Sequence, residues 1–192
     1  MSAESAPGSD GIGTGNWLLG GAIGGAVGSL LFGLVLWLVD PTIVTEAIPA
    51  IYGIEPAGTA GWTFHLAHGL VLGVVFGALI SRDPILGTVT ADVETGFLAS
   101  MGNGLRFALA GMVYGLAIWA LLPLIVVPAW AGIGGIEEPG FPVLAFESLL
   151  GHLLYGLLLG GLFSAVADTA PKAREAEAPF EEASDSSRSS RE

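Results

Sequence analysis

The residues of this chain most open to chemistry are its three histidines, His65, His68 and His152, and all three fall inside long apolar stretches. An ionisable side chain in a membrane-spanning segment is costly and usually faces the bundle interior or a water-filled cavity. His65 and His68 are three residues apart, which places them on neighbouring positions of one helical face. Three chemistries suit such residues. Neutral imidazoles can hydrogen-bond across helices and stabilise packing. His68 and His152 can ligate a divalent transition metal, or haem iron from both faces. The histidines can also relay protons or ions through a small transporter or channel. Glu147 bears on the relay, because it stands near the outer end of the last apolar stretch, at a depth similar to that of His65. A Glu147–His65 pair is expected on this reading. The alternative is that Glu147 simply reaches the outer interface.

Other chemistries lack their residues. The chain has no cysteine, which excludes disulfides, thiolate catalysis and cysteine-based metal sites. It has no Gly-x-Ser-x-Gly elbow, no His-Glu-x-x-His and no phosphate-binding glycine loop. Asp83, Asp92 and Glu94 have no spacing that demands a joint role. An enzyme is not expected.

The elements that must position the histidines are membrane helices. Hydrophobic residues make up 52% of the 192 residues and charged residues 12%, against about 25% charged in a soluble domain. Mean hydropathy is +0.71. Four apolar runs, 16–39, 61–80, 107–127 and 148–167, are each long enough to cross a hydrocarbon core of about 30 Å. The fold class expected is therefore all-α, a polytopic bundle of four transmembrane helices. Residues 1–15 read as a disordered lead and 168–192 as a disordered acidic tail. Residues 1–15 contain no Lys or Arg, so the first run is expected to be a retained span and not a signal peptide.

An internal repeat divides the bundle. Phe32-Gly33-Leu34-Val35-Leu36-Trp37 falls on Tyr114-Gly115-Leu116-Ala117-Ile118-Trp119 at an offset of 82, and Pro41 falls on Pro123. Glu55-Pro56 falls on Glu138-Pro139 at 83, and His68 on His152 at 84. Two units follow: 16–80, with spans 16–39 and 61–80, and 104–167, with spans 107–127 and 143–167. A cytoplasmic loop, 81–103, joins them. Each unit has an even number of spans, so the repeat is expected to be parallel, about an axis along the membrane normal. His68 and His152 would then face each other across that axis.

Glycines at spacing four line every span: Gly20, Gly24 and Gly28 beside Gly21, Gly25, Ser29 and Gly33 in the first; Gly69, Gly73 and Gly77 in the second; Gly111 and Gly115 in the third; Gly156, Gly160 and Ser164 in the fourth. Small residues let membrane helices approach closely, within a bundle or between protomers of a homo-oligomer. The outer connections, 42–54 and 124–136, are apolar, broken by proline and glycine, and carry Tyr52 and Trp130. They are expected to lie at the membrane interface, with a re-entrant course as the alternative.

All six basic residues (Arg82, Arg106, Lys172, Arg174, Arg188 and Arg191) fall on one side of this topology. The positive-inside rule then places both termini and the middle loop in the cytoplasm. Net charge is −12, which excludes a nucleic-acid-binding surface and suggests adaptation to high salt.

Trp37-Leu-Val-Asp-Pro41, Ile51-Tyr-Gly53, Phe64-His-Leu-Ala-His-Gly69 and Gly151-His-Leu-Leu-Tyr-Gly156 together resemble an uncharacterised family of small haloarchaeal four-helix membrane proteins. The resemblance covers roughly residues 16–168. Relatives of this kind are sometimes labelled histidine kinase. A conventional kinase needs a cytoplasmic ATP-binding domain for which this chain has no room, and the resemblance supplies no site residues.

Overall fold

The structure, a computed structural model, describes residues 14–90, 100–134 and 146–167. All its regular elements are helical: α1 (Thr14–Val39), α2 (Ile48–Ala50), α3 (Gly58–Ile80), α4 (Asp83–Thr90), α5 (Asn103–Leu121), α6 (Val127–Gly134) and α7 (Phe146–Ala167). Two π-helical turns, Ile43–Ala47 and Leu122–Val126, lie among them. Four helices are long and apolar enough to cross a membrane: Asn16–Val39, Gly58–Ile80, Asn103–Trp130 and Phe146–Val166. Glu138-Pro139 in the repeat, Asp92, Glu94 and the acidic tail lie outside the described residues.

The long helices are apolar all round. Leu38 is 84% exposed, Val113 68% and Phe146 67%. Such surfaces suit lipid and are unfavourable in water. The interior is instead built from small, aromatic and polar residues. Lipid gives little hydrophobic drive between helices, so the contacts rest on close backbone approach.

α1 is central, with α3 on one side and α7 on the other, and α5 packs against α7. The two glycine sets of α1 divide accordingly. A Cβ on Gly21 or Gly25 would collide with the Gly73 or Gly69 carbonyl of α3, whereas one on Gly24 or Gly28 would press on Leu159 or Tyr155 of α7. Gly33 lies beneath Trp62 and His65, and Gly77 against the Trp17 carbonyl. In the α5–α7 seam, Gly111, Gly115 and Gly160 abut the carbonyls of Gly156, His152 and Phe107. The expected glycine faces are thus contacts within the chain. A tight α1–α7 contact has no equally close α3–α5 counterpart; Tyr114 and Phe76 fill that gap. At the offset of 82 expected from the sequence, Arg106 and Ala110 of α5 stand where α1 has Gly24 and Gly28.

The connections at one end of the bundle, here called the capped end, are more helical than the sequence predicts. After Asp40, whose carboxylate accepts from Thr42 N and Oγ1 at 2.9 and 2.7 Å, the chain turns. It runs helically through 41–50 and packs on the start of α3. Those two bonds, the hydroxyl's first, hold the Asp40 carboxyl below its ordinary pKa. Pro49 has no N–H to give the carbonyls behind it. The Thr45 carbonyl accepts from Ala57 N instead, at 2.8 Å, and the Val44 carbonyl rests on Gly61, where a Cβ would overlap it. Val44 and Pro49 are fully buried there.

The third span does not end at 127. Pro123 cannot donate to the turn before it, and the helix widens into a π turn without stopping. The apolar helix continues to Trp130 and helical structure to Gly134. The loop expected at 81–103 also contains a helix, α4. Asp83 and Pro84 suit a first helical turn, and Leu86 and Val89 pack on the core.

Candidate functional site

α3 positions most of the polar groups in the interior. His65, Gly69 and Leu72 recur at helical spacing toward the other long helices, whereas His68 lies on an exposed part of α3, toward the capped end. The His65 Nε2–H donates to the Ser29 carbonyl of α1 at 2.8 Å. Ser29 is itself buried, and its hydroxyl donates to Ala26 O at 3.0 Å. One turn further along, the buried Tyr155 of α7 donates to Gly69 O at 2.8 Å. Beyond it, Tyr114 of α5 donates to Leu72 O at 2.8 Å. The result is a polar column that runs from the capped end to mid-bundle, contributed by all four long helices.

Below the column the interior becomes aromatic. Phe163 is fully buried, with Phe76 and Phe107 nearly so. Phe163 lies 5.6 Å from Phe76 and 5.7 Å from Phe107 between ring centroids. Phe76 also meets Tyr114 at 5.3 Å, joining the plug to the lowest rung of the column.

The histidines are arranged differently from the expected His68–His152 pair. His65 is the histidine related to His152, through Phe32. That ring stands edge-on to both imidazoles, with centroids 5.4 Å from His65 and 4.8 Å from His152. Gly151 makes room for it, because a Cβ there would overlap the Phe32 ring. His152 donates through Nδ1 to its own helix, at Ser148 O, 2.7 Å away. His68 points toward the cap, where its Nε2 is hydrogen-bonded to the Tyr52 hydroxyl. Burial raises the Tyr52 pKa.

Glu147 is exposed in the first turn of α7. Among the described residues no hydrogen bond or ion pair joins it to His65, whose Nε2 is committed to Ser29. Nor do the described residues contain a group of three or more His, Asp or Glu side chains placed to hold a metal ion.

Tyr52 lies beside His68 at the capped end. Its ring stacks on Phe64 at 4.3 Å and meets Trp130 edge-on at 5.7 Å. The Trp130 indole donates to the Ile51 carbonyl at 2.9 Å, joining the two connections at the capped end. Sequence reasoning named Tyr52 and Trp130 only as interface anchors and gave Tyr114, Tyr155 and Ser29 no polar role.

No protein-family model matches the chain, and no curated protein or solved structure is detectably similar to it.

Proposed function

We propose that the chain is a small, non-enzymatic transport or channel-like membrane protein whose path is the polar column beside α3. The observation that carries this reading is the asymmetry of the interior. Imidazole and phenol groups concentrate in the half toward the capped end, and a phenylalanine cluster, with the buried Ser164 beside it, fills the other half. Polar groups gathered at membrane depth and stopped by an aromatic constriction have the arrangement of a path with a gate. The basic residues favour an orientation with the capped end outside and both termini in the cytoplasm. We also propose, from the sequence, that the chain holds a tandem repeat, comes from a high-salt organism and belongs to the small haloarchaeal family.

A second reading, a structural or accessory subunit, is favoured by one observation. His65, Tyr114 and Tyr155 each donate to a backbone carbonyl of another helix, as expected for polar contacts that hold a bundle together. Haem or metal ligation by His68 and His152 has less support, because the two imidazoles are engaged separately, one with Tyr52 and the other with Ser148.

Flux separates the readings. Proteoliposomes containing the purified protein are expected to pass protons or small cations. Replacement of His65, His68 and His152 together by alanine is expected to reduce that flux at least ~tenfold, as loss of ionisable groups from a relay does. Equal flux from the triple variant would end the relay reading. A folded wild-type protein that passes nothing would leave the structural one.

A further inference from the structure

We infer that the capped end carries a hinged flap, residues 122–134, latched by Trp130 onto the fixed segment 41–57, and that release of this latch opens the polar column. The inference deepens the transport reading and rests on it for its role, although the flap itself can be tested without any transport.

The two parts of the cap are anchored very differently. Segment 41–57 is held to α3 by buried Val44 and Pro49, by the bond from Ala57 N to Thr45 O, and by the close seat of Val44 on Gly61. In segment 122–134 only the first residue, Leu122, is described as packing on the core; Leu124, Ile125, Val126, Trp130 and Ile133 face away from the rest of the protein. The segment's described ties to the first part are the Trp130 indole on Ile51 O and the Trp130–Tyr52 ring contact. Segments with few buried contacts open at the lowest free-energy cost.

The geometry also supplies a hinge. Leu122–Val126 is a π turn with Pro123 inside it, a widened ring in which the regular ladder of hydrogen bonds is already interrupted. A rotation there moves α6 without disturbing the α5–α7 seam at Gly111 and Gly115. The residue that Trp130 covers is Tyr52, whose hydroxyl holds His68. The indole thus adds a second ring contact to a phenol that already stacks on Phe64 of α3. Among the described residues no charged side chain takes part in the latch, so its release depends on contact with the indole and not on ionisation.

The test uses the absence of cysteine. Ser29→Cys places a near-isosteric thiol within the column at a position 1% exposed. The full-length variant is reconstituted and treated from the capped side with a membrane-impermeant methanethiosulfonate reagent. Adding Trp130→Phe keeps a ring at position 130 and removes the N–H donor. The modification rate of the thiol at position 29 is expected to rise about five- to tenfold, the size of effect that accompanies loss of one net hydrogen bond. Trp130→Ala, which also removes the ring contact, is expected to raise it further. An unchanged rate in both variants, each eluting as a monodisperse folded protein, would overturn the flap. Accelerated labelling without flux in any variant would keep the flap and reject transport. Flux with unchanged labelling would do the reverse.

Discussion

Tyr155 and Gly69 are joined by a phenol-to-carbonyl hydrogen bond of 2.8 Å between α7 and α3, two helices whose backbones both pack on α1. Tyr155 is 3% exposed, so no water replaces its hydroxyl when the partner is lost. The bond therefore carries information between the two halves of the chain that glycine packing alone does not. Tyr114 makes the same kind of bond one turn further along α3, to Leu72 O.

Tyr155→Phe is expected to lower stability by about 1 kcal/mol, the net value of one buried hydrogen bond in a membrane bundle. Tyr114→Phe should cost a similar amount. The double variant should lose close to the sum, since the two hydroxyls use separate carbonyls. Denaturant titration in detergent micelles, followed by helical circular dichroism, measures this. Full stability in the double variant would show that neither bond forms.

Gly111 and Gly161 form a matched pair of probes. A Cβ on Gly111 would run into the Gly156 carbonyl across the α5–α7 seam, whereas one on Gly161 meets nothing within 4 Å. Gly111→Ala is expected to destabilise by roughly 1–3 kcal/mol, as overpacking does. Gly161→Ala is expected to be neutral or to stabilise by up to about 1 kcal/mol, because alanine favours the helix. Thermal melts of the two variants beside the wild type decide it. Equal melting temperatures for the two variants would remove the seam.

Orientation is read by single cysteines at Thr59 and Thr88, both exposed and at opposite ends of the bundle. In intact cells an impermeant maleimide is expected to label position 59 and to reach position 88 only after permeabilisation. The reverse pattern would invert the topology and place the cap in the cytoplasm.

The spans were legible in the sequence because length and apolarity alone specify a membrane helix. The two faces of α1 were legible because glycine spacing of four has one geometric meaning. The histidine partners were not. His65 binds a backbone carbonyl of Ser29, and every residue type supplies a carbonyl, so its choice leaves no mark in the sequence. Phe32 separates His65 from His152 only because Gly151 opens a notch, a relation between residues far apart along the chain. The continuation through Pro123 was missed for a related reason. Proline reads locally as a stop, whereas a π turn absorbs the missing donor and the helix proceeds.

The central place of α1 has a consequence for how the molecule is made. Its Gly21–Gly25 edge finds α3 soon after synthesis, within the next hairpin. Its Gly20–Gly24–Gly28 edge fits α7, the last of the four described spans to be synthesised. During insertion that second edge faces lipid until α7 arrives, so the final helix acts as a keystone. Closure of the bundle becomes its most non-local step, and non-local steps are the slow ones in folding. A nascent chain stalled before residue 146 would hold three inserted helices and an unfilled groove, the state that membrane quality control would meet first.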